Sequence, residues 1–293
     1  MHDLAQQIVS GLATGSIFAS LALALVLIYR SMGVINFAQG EMAMFTTFIA
    51  WQLVQQGLPI WAAFALTIVV AFVGGVALEV VLIRPVERAA PLTIVIVTLG
   101  LLITLNGLAG LFWGYVVKPF PTPFPTTPIH VGSVSFSAQD IGIILVSLAA
   151  LGIITLFFQK TKLGLAMRAA ALYPDESRVL GIRVSRMLAL GWGLAAVMGA
   201  ISGIMVAPVV FLDPNMMQGI IVYAFAAAVL GGIESPLGAV IGGLVLGVVL
   251  NLLGTYVEAI GTDLRLGVAF AIIVVVLLFR PAGLFGRVGT QRV

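Results

Sequence analysis

The chain has 293 residues, of which 61% are hydrophobic and 9% are charged, with a formal net charge of +3. A soluble domain carries roughly a quarter charged residues, so this chain lacks the polar side chains needed to cover a water-facing surface. It has no cysteine, and its two histidines, His2 and His130, lie far apart and outside the apolar segments. Composition therefore indicates an integral membrane protein and excludes disulfides, thiolate metal sites and a cysteine nucleophile; no metal site or catalytic residue is predicted.

Apolar segments recur along the whole chain. A helical span needs about 20 mostly apolar residues, and the candidates are 8–29, 36–56, 59–83, 92–113, 139–158, 187–210, 217–232, 237–253 and 264–279. The seventh and eighth are short and Gly-rich, so they form either two full crossings or one re-entrant pair. The prediction is an all-α, polytopic membrane protein with a single transmembrane domain over 1–293 and eight or nine transmembrane helices, some broken or re-entrant.

The basic residues are distributed unevenly between the connecting segments. If 160–186 is cytoplasmic, alternation places 30–35, 84–91 and 280–293 on the same side. These segments hold twelve of the fourteen basic residues, namely Arg30, Arg84, Arg88, Lys160, Lys162, Arg168, Arg178, Arg183, Arg186, Arg280, Arg287 and Arg292. The positive-inside rule then predicts an outside N-terminus, a cytoplasmic C-terminus and an extracytoplasmic Pro-rich loop over 114–138.

Many of the 33 glycines are spaced in fours, as in Gly11/Gly15, Gly110/Gly114, Gly199/Gly203, Gly238/Gly242 and Gly243/Gly247. Small residues allow close backbone approach between helices in lipid, so helix packing is the expected role. The stretch GGIESPLGAVIGG (231–243) differs, because its glycines flank a proline and Glu234. Interrupted helices of this kind are tolerated where protein or a cavity satisfies the backbone, and they often line a transport path.

A second polar interruption is GVINFAQGEMAM (33–44), in which Asn36, Gln39 and Glu41 stand among apolar residues. Asn36 and Gln39 have the spacing of a capping box at the start of the second span. At 100° per residue Glu41 points away from Gln39, so it needs a partner of its own.

Two interpretations of these polar residues remain open. In the first, Asn36, Gln39, Glu41 and Glu234 lie around a translocation pathway or its cytoplasmic gate, where a zwitterion needs transient polar partners. In the second, the residues are structural, and Glu41 pairs with Arg30 or Arg84 at the inner boundary.

Local signals predict two helical stretches in the basic loop 160–186. LGLAMRAAALY is typical of an amphipathic helix. In YPDESRVLG, Pro174 stands at a first helical position, Asp175 and Glu176 follow in the first turn, and Gly181 falls just past the end. A short helix held at the membrane face suits contact with a cytoplasmic partner.

Several long motifs resemble those of one transporter family. GLATGSIFASLALALVLIYRSMGVINFAQGEMAMF, GLAMRAAALYPDESRVLGIRVSRMLAL, AVLGGIESPLGAVIGGLVLG and LLFRPAGLFG are similar to the H-type permease subunit of branched-chain amino acid ABC importers. The match runs almost from end to end. One departure is ALYPDES, where Leu172 and Tyr173 replace the polar residues more usual before the short cytoplasmic helix.

The resemblance implies a subunit of the bacterial cytoplasmic (inner) membrane. The implied partners are a homologous second permease, two cytoplasmic ATPases carrying ATP and Mg, and an extracytoplasmic substrate-binding protein, with no cofactor in this chain and no nucleic acid. Leu, Ile and Val are the typical substrates; relatives move other amino acids, urea, short amides or aromatic acids. The resemblance also marks the loop as the ATPase coupling segment, with Val179 and Leu180 as apolar anchors, Asp175, Glu176 and Arg178 as polar contacts and Gly181 as the tight exit.

The sequence itself also indicates that this chain does not supply the energy for transport by hydrolysing ATP. It contains no G-x-x-x-x-G-K-[ST], so it cannot cradle a nucleotide phosphate in a P-loop. A stand-alone secondary transporter would need ionisable groups within its spans, whereas Glu41, Glu79, Asp140 and Glu234 are expected near span ends. An intramembrane enzyme would need a nucleophile and base, and the apolar segments contain no His or Cys.

Overall fold

Backbone groups in lipid must bond within their own segment, so each apolar segment is expected to fold as a helix. The computed structural model describes residues 2–87, 89–125, 127–131, 134–258, 261 and 264–286. Its helices are α1 (His2–Met32), α2 (Gln39–Gln55), α3 (Ile60–Leu78), α4 (Pro91–Trp113), α5 (Ala138–Lys160), α6 (Lys162–Leu172), α7 (Pro174–Val179), α8 (Val184–Val210), α9 (Gln218–Gly231), α10 (Pro236–Tyr256) and α11 (Arg265–Phe279). The predicted all-α polytopic architecture is confirmed.

The helices differ in length and in burial. Within the described residues α1, α3 with its continuation, α4, α5, α8 and α10 are long and apolar enough to cross a membrane, whereas α9 and α11 are shorter apolar helices. The helices α1 and α8 lie mostly inside the bundle, while α3, α4 and α5 expose most of their surface. The core of the fold is therefore built around α1 and α8, and the exposed apolar faces of the others suit contact with lipid.

Glycines allow the closest packing in the bundle, between α1 and α10. Gly11 and Gly15 of α1 lie against Gly243 and Gly247 of α10, and a Cβ added to Gly15 would stand 2.8 Å from the Gly243 carbonyl oxygen. A larger residue would push the helices apart, so the predicted packing role is confirmed for these pairs. The pair Gly110/Gly114 differs, because Gly114 ends α4 with a φ of +76°.

The end of α3 departs from regular α-helix. A π-helical turn (Glu79–Ile83) and a 3-10 turn (Arg84–Val86) continue α3, and the helix stops around Pro85. This geometry places the buried Glu79 carboxylate 2.8 Å from the Arg84 guanidinium. Arg84 is therefore paired with Glu79, and the alternative in which it pairs with Glu41 is wrong.

The two ends of the bundle carry different segments. Residues from 29–33, 168–178, 184–188 and 234–236 line one shared cavity at one end, together with Glu87, Phe285 and Gly286. At the opposite end Lys118 forms a backbone bridge with Leu212. The basic segments predicted to share a side do gather at one end, here called the basic end. Arg88, Arg287 and Arg292 lie outside the described residues.

The Pro-rich loop 114–138 contains a short hairpin that the sequence analysis did not predict. Strands β1 (Pro128–Val131) and β2 (Val134–Ser137) pair antiparallel, with Pro128 opposite Ser137. Ser137 then caps α5, where the Asp140 N–H donates to the Ser137 hydroxyl oxygen at 3.0 Å. Asp140 thus has a local structural role at the start of α5.

Candidate functional site

The chain is non-helical between α1 and α2, at the polar interruption identified from the sequence. The helix α1 ends at Met32, Gly33 has a φ of +69°, and α2 begins only at Gln39. The three residues Asn36, Gln39 and Glu41 are all buried. Buried polar side chains at a helix break must find partners within the protein.

The predicted capping box is wrong. Ala38 occupies the N-cap of α2 and no side chain caps the helix. Asn36 instead accepts the Ala38 N–H at 3.0 Å through Oδ1 and donates to Gln39 Oε1 at 3.3 Å through Nδ2. The Gln39 amide donates in turn to the Ala195 carbonyl of α8 at 3.0 Å, so tertiary packing has redirected both side chains.

The break lies within the thickness of the bundle. The partner carbonyl of Gln39 belongs to Ala195, which stands about 16 Å along α8 from its first residue. Further along α8, Gly199 and Gly203 have no side chains, and α2 packs directly against their backbone. The helix α2 is thus shorter than the predicted span 36–56, and the polar interruption is not a turn at the bundle surface.

Glu41 lies on the side of α2 opposite to the Gln39 contact, as its position in the helix predicted. Its Oε2 accepts a hydrogen bond of 3.4 Å from Asn106 of α4. Within the described part of the chain no basic side chain forms an ion pair with it. The pairings with Arg30 and Arg84 are therefore wrong, whereas Glu41 does stand at a helix end, in the first turn of α2.

Asn106 is a site residue that the sequence analysis missed. Its amide also donates to the Pro214 carbonyl at 2.8 Å and contacts Asn215 Oδ1 at 3.3 Å, while the Tyr115 hydroxyl donates to Asn106 Oδ1 at 3.3 Å. Asn106 thereby joins α2, α4 and the segment before α9 in one group, here called the Asn106 cluster (Glu41, Asn106, Tyr115, Pro214 and Asn215). An amide alone in an otherwise apolar helix was the available signal.

The depth of the Asn106 cluster explains the short length of α9. Asn106 lies about 10 Å before the end of α4 at Trp113, so Pro214 and Asn215 must enter the bundle by a similar distance. The 14 residues of α9 span about 21 Å more. The segment before α9 therefore adds to the length of that short helix within the bundle.

Glu234 lies apart from the other predicted pathway residues. It is exposed in the turn between α9 and α10, where it lines a cavity of about 1030 Å³ at the basic end. The four residues predicted to surround a pathway therefore occupy three places: the Asn36–Gln39 pair against α8, Glu41 against α4, and Glu234 at the basic end.

The loop 160–186 forms the helices that its sequence predicted. Thr161 caps α6 by accepting the Gly164 N–H at 2.9 Å. Pro174 is the first residue of α7, and Gly181 follows that helix with a φ of +83°.

The exit from α7 is a Schellman motif. The Ile182 N–H donates to the Ser177 carbonyl at 2.9 Å and the Gly181 N–H donates to the Arg178 carbonyl at 3.0 Å.

The helix α7 exposes apolar side chains beside a small charged group. Val179 and Leu180 are 88% and 79% exposed, among the highest values for large apolar residues in the chain. Arg178 forms an ion pair of 2.7 Å with Asp175, while Glu176 is exposed next to them. Ser177 is buried, so the other side of α7 packs against the protein. Val179 and Leu180 thus form a small exposed apolar tip at the end of α7, next to the Schellman turn.

The described residues contain no group of three or more His, Asp or Glu side chains that could hold a metal ion. The polar features of the described residues are thus the buried break between α1 and α2, the Asn106 cluster and the charged group beside the exposed tip of α7.

Comparisons with known proteins extend over the whole chain. Residues 7–277 match the family model described as "Branched-chain amino acid transport system / permease component". The chain is 33% identical to the high-affinity branched-chain amino acid transport system permease protein BraD of Pseudomonas aeruginosa, covering 100% of this chain and 99% of that protein. It is 32% identical to the corresponding permease protein LivH of Escherichia coli, covering 98% and 97%. Its identity to the probable LivH of Methanocaldococcus jannaschii is 27%, covering 98% and 94%.

The arrangement of the helices is also found in a solved structure. A chain of "PsaBC from Streptococcus pneumoniae in complex with Fab" aligns with a TM-score of 0.50 and 12% identity, covering 96% of this chain and 93% of that chain. At that identity the likeness concerns the arrangement of the helices alone.

Proposed function

The chain belongs to the family of permease components of branched-chain amino acid transport systems, and from this premise we propose that it is the membrane permease subunit of an ATP-driven importer for branched-chain or related amino acids. The full-length identity to BraD and LivH supports this proposal most strongly, because it extends over the polar break and the α6–α7 loop as well as the apolar helices.

The energy for transport comes from partner subunits in this proposal. The sequence contains no P-loop motif, so ATP and Mg bind to two cytoplasmic ATPases. A homologous second permease completes the translocation path, and an extracytoplasmic binding protein delivers the substrate. The basic end faces the cytoplasm of a bacterial inner membrane, with the N-terminus outside and the C-terminus inside, in agreement with the positive-inside rule.

The coupling surface is assigned to α7. Val179 and Leu180 enter an apolar groove of an ATPase, while Asp175, Glu176 and Arg178 contact its polar edge and Gly181 fixes the turn. The exposure of both apolar side chains supports this assignment. The helices α6 and α7 contact each other and α8, so a movement of the ATPase can reach the bundle core as a rigid-body shift.

The substrate path is assigned to the region of the polar break, with Glu234 at its inner mouth. Asn36 donates a hydrogen bond to Gln39, and Gln39 donates one to α8. Because these polar groups are already paired within the protein, we assign them the role of shaping the break. Glu41 accepts only one long hydrogen bond within the described residues. Its carboxylate therefore keeps acceptor capacity for the ammonium group of an amino acid.

A reconstitution experiment tests the proposal. The purified complex of this chain with its partners, in proteoliposomes, is expected to accumulate labelled leucine, isoleucine or valine only with ATP and binding protein. Substituting the P-loop lysine of the ATPases should abolish uptake. Uptake driven by a proton gradient without ATP would instead indicate a secondary transporter. A panel including urea, short amides and aromatic acids defines the substrate.

A further inference from the structure

A separate cavity of about 260 Å³ lies at the basic end between α1, α5, α6, α8 and α10. It adjoins the larger cavity that Glu234 lines, and the two share Arg30 and Arg168. The sites proposed for substrate and for the ATPase do not account for it, because it contains neither the polar break nor the exposed tip of α7.

The charge in this smaller cavity has one sign. Arg30 and Arg168 are the charged side chains among its described lining residues, and both are partly buried. The Arg168 Nε is buried without a hydrogen-bond partner in the described structure. No acidic side chain of the described residues forms an ion pair with either guanidinium. Two like charges held together in partly desolvated positions favour an anion between them.

The remainder of the cavity is mostly apolar. Its walls include Leu23 and Leu27 of α1, Ile154 and Phe158 of α5, and Leu237 of α10. The helices α5 and α10 both pack on α1 and both contribute residues to the cavity wall. The two guanidinium groups suit the phosphate of a phospholipid, and the apolar recess suits the upper part of its acyl chain.

We propose that this cavity binds one anionic phospholipid, with its phosphate on Arg30 and Arg168 and the upper part of one acyl chain in the apolar recess. Guanidinium groups bind phosphate oxygens in a bidentate geometry. Basic pockets between transmembrane helices are known places for anionic headgroups. Glu234 is exposed and lines the adjoining cavity together with Arg30, so a headgroup with a neutral glycerol, which brings no second negative charge beside Glu234, suits the site.

Such a lipid would connect the membrane to the coupling loop. Arg168 belongs to α6 and Arg30 to the end of α1. One phosphate bound to both arginines would hold α6 against α1, next to the loop that carries α7. Binding itself does not depend on the proposed transport function, because it requires only that the basic end lie at a membrane interface.

Lipid retention by the purified full-length chain tests the proposal. Protein is extracted from bilayers of phosphatidylcholine with phosphatidylglycerol, and the retained lipid is identified by native mass spectrometry. Wild type is expected to keep one phosphatidylglycerol, and the double variant Arg30→Gln with Arg168→Gln to keep it roughly tenfold less. The matched control, Arg183→Gln with Arg186→Gln, removes the same charge from exposed positions of the same loop and should behave as wild type.

A second variant tests the apolar recess with both arginines intact. Gly191 lines the cavity, and the nearest atom to an added Cβ is Met167 Cε at 3.8 Å, so a side chain has room to begin there and Gly191→Leu is expected to project into the space. Gly191→Leu should also lose the bound lipid. If the arginine double variant fails to fold, retention by Gly191→Leu tests the proposal in its place. Equal retention by wild type and Gly191→Leu would overturn the proposal. So would equal thermal stabilisation of wild type by glycerol 1-phosphate and by phosphatidylglycerol, because that result indicates a site for soluble phosphate.

Discussion

Asn106 of α4 donates a hydrogen bond of 3.4 Å to the Glu41 carboxylate of α2, and the same amide donates to the Pro214 carbonyl at 2.8 Å. A buried carboxylate is thus held by a neutral amide and not by a cation. In this arrangement Glu41 keeps its place without an ion pair that a substrate would have to displace.

Replacing Glu41 with Gln should lower transport roughly tenfold while the complex still assembles. The amide can accept the Asn106 hydrogen bond, but it gives up the charge-assisted contact to a substrate ammonium group, which is about twice as strong as a neutral one. Uptake by proteoliposomes and the yield of intact complex are measured together. Glu258→Gln removes the same charge at an exposed position and serves as control. Unchanged uptake in Glu41→Gln would remove Glu41 from the pathway.

Replacing Asn106 with Ala should destabilise the chain by about 1–3 kcal/mol, because the buried Pro214 carbonyl and the Glu41 carboxylate lose their donor. The measurement is the midpoint of thermal unfolding in detergent. Thr104→Ala, on an exposed position of the same helix, should change this midpoint little. Equal midpoints for the two variants would show that the Asn106 cluster does not stabilise α4 against α2.

Replacing Gly181 with Val should uncouple ATP hydrolysis from transport. The φ of +83° at this position strains a β-branched residue by about 1–2 kcal/mol, so the turn after α7 should shift. The ratio of uptake to ATP hydrolysis is measured. Gly181→Asn is the matched control, since Asn tolerates positive φ and should retain most coupling. Normal coupling in Gly181→Val would contradict the assigned role of the turn.

Replacing Val179 and Leu180 together with Ser should weaken ATPase binding roughly tenfold or more, because two apolar side chains no longer become buried on association. The folded permease should be unaffected, since both residues are exposed. Co-purification of the ATPase provides the measurement. The control pair Val116→Ser with Val117→Ser changes two similarly exposed residues at the opposite end of the chain's bundle.

The charged side chains of α7 provide a second test of whether this helix binds the ATPase. Replacing Glu176 and Arg178 together with Ala removes one charge of each sign and breaks the 2.7 Å pair with Asp175. Reduced ATPase binding is expected. Normal transport by this variant would argue against α7 as the coupling helix.

The orientation can be tested directly because the chain has no cysteine. A cysteine placed at Lys162 should react with an impermeant reagent only after the cells are permeabilised, as the positive-inside rule requires. A cysteine at Thr122, exposed in the loop at the other end, should react in intact cells. Labelling at position 162 from outside would invert the topology.

The sequence alone determined the features that depend on neighbouring residues. Hydropathy identified the spans because lipid obliges each apolar segment to bond its own backbone. Pro174 and Gly181 marked the ends of α7 because fixed φ and positive φ are local properties of those residue types. The match to the family of permease components, over residues 7–277, likewise needs only the sequence.

The tertiary structure decided what the buried polar residues contact. Asn36 and Gln39 have the spacing of a cap, but Gln39 binds the Ala195 carbonyl, 156 positions away along the chain. The basic residue nearest to Glu41 in sequence is Arg30, yet the partner of Glu41 is Asn106, which is 65 positions away and uncharged. A buried polar group must be satisfied wherever a donor or acceptor lies within reach. That reach is set by how α2, α4 and α8 pack in space, which the local pattern of residues does not encode.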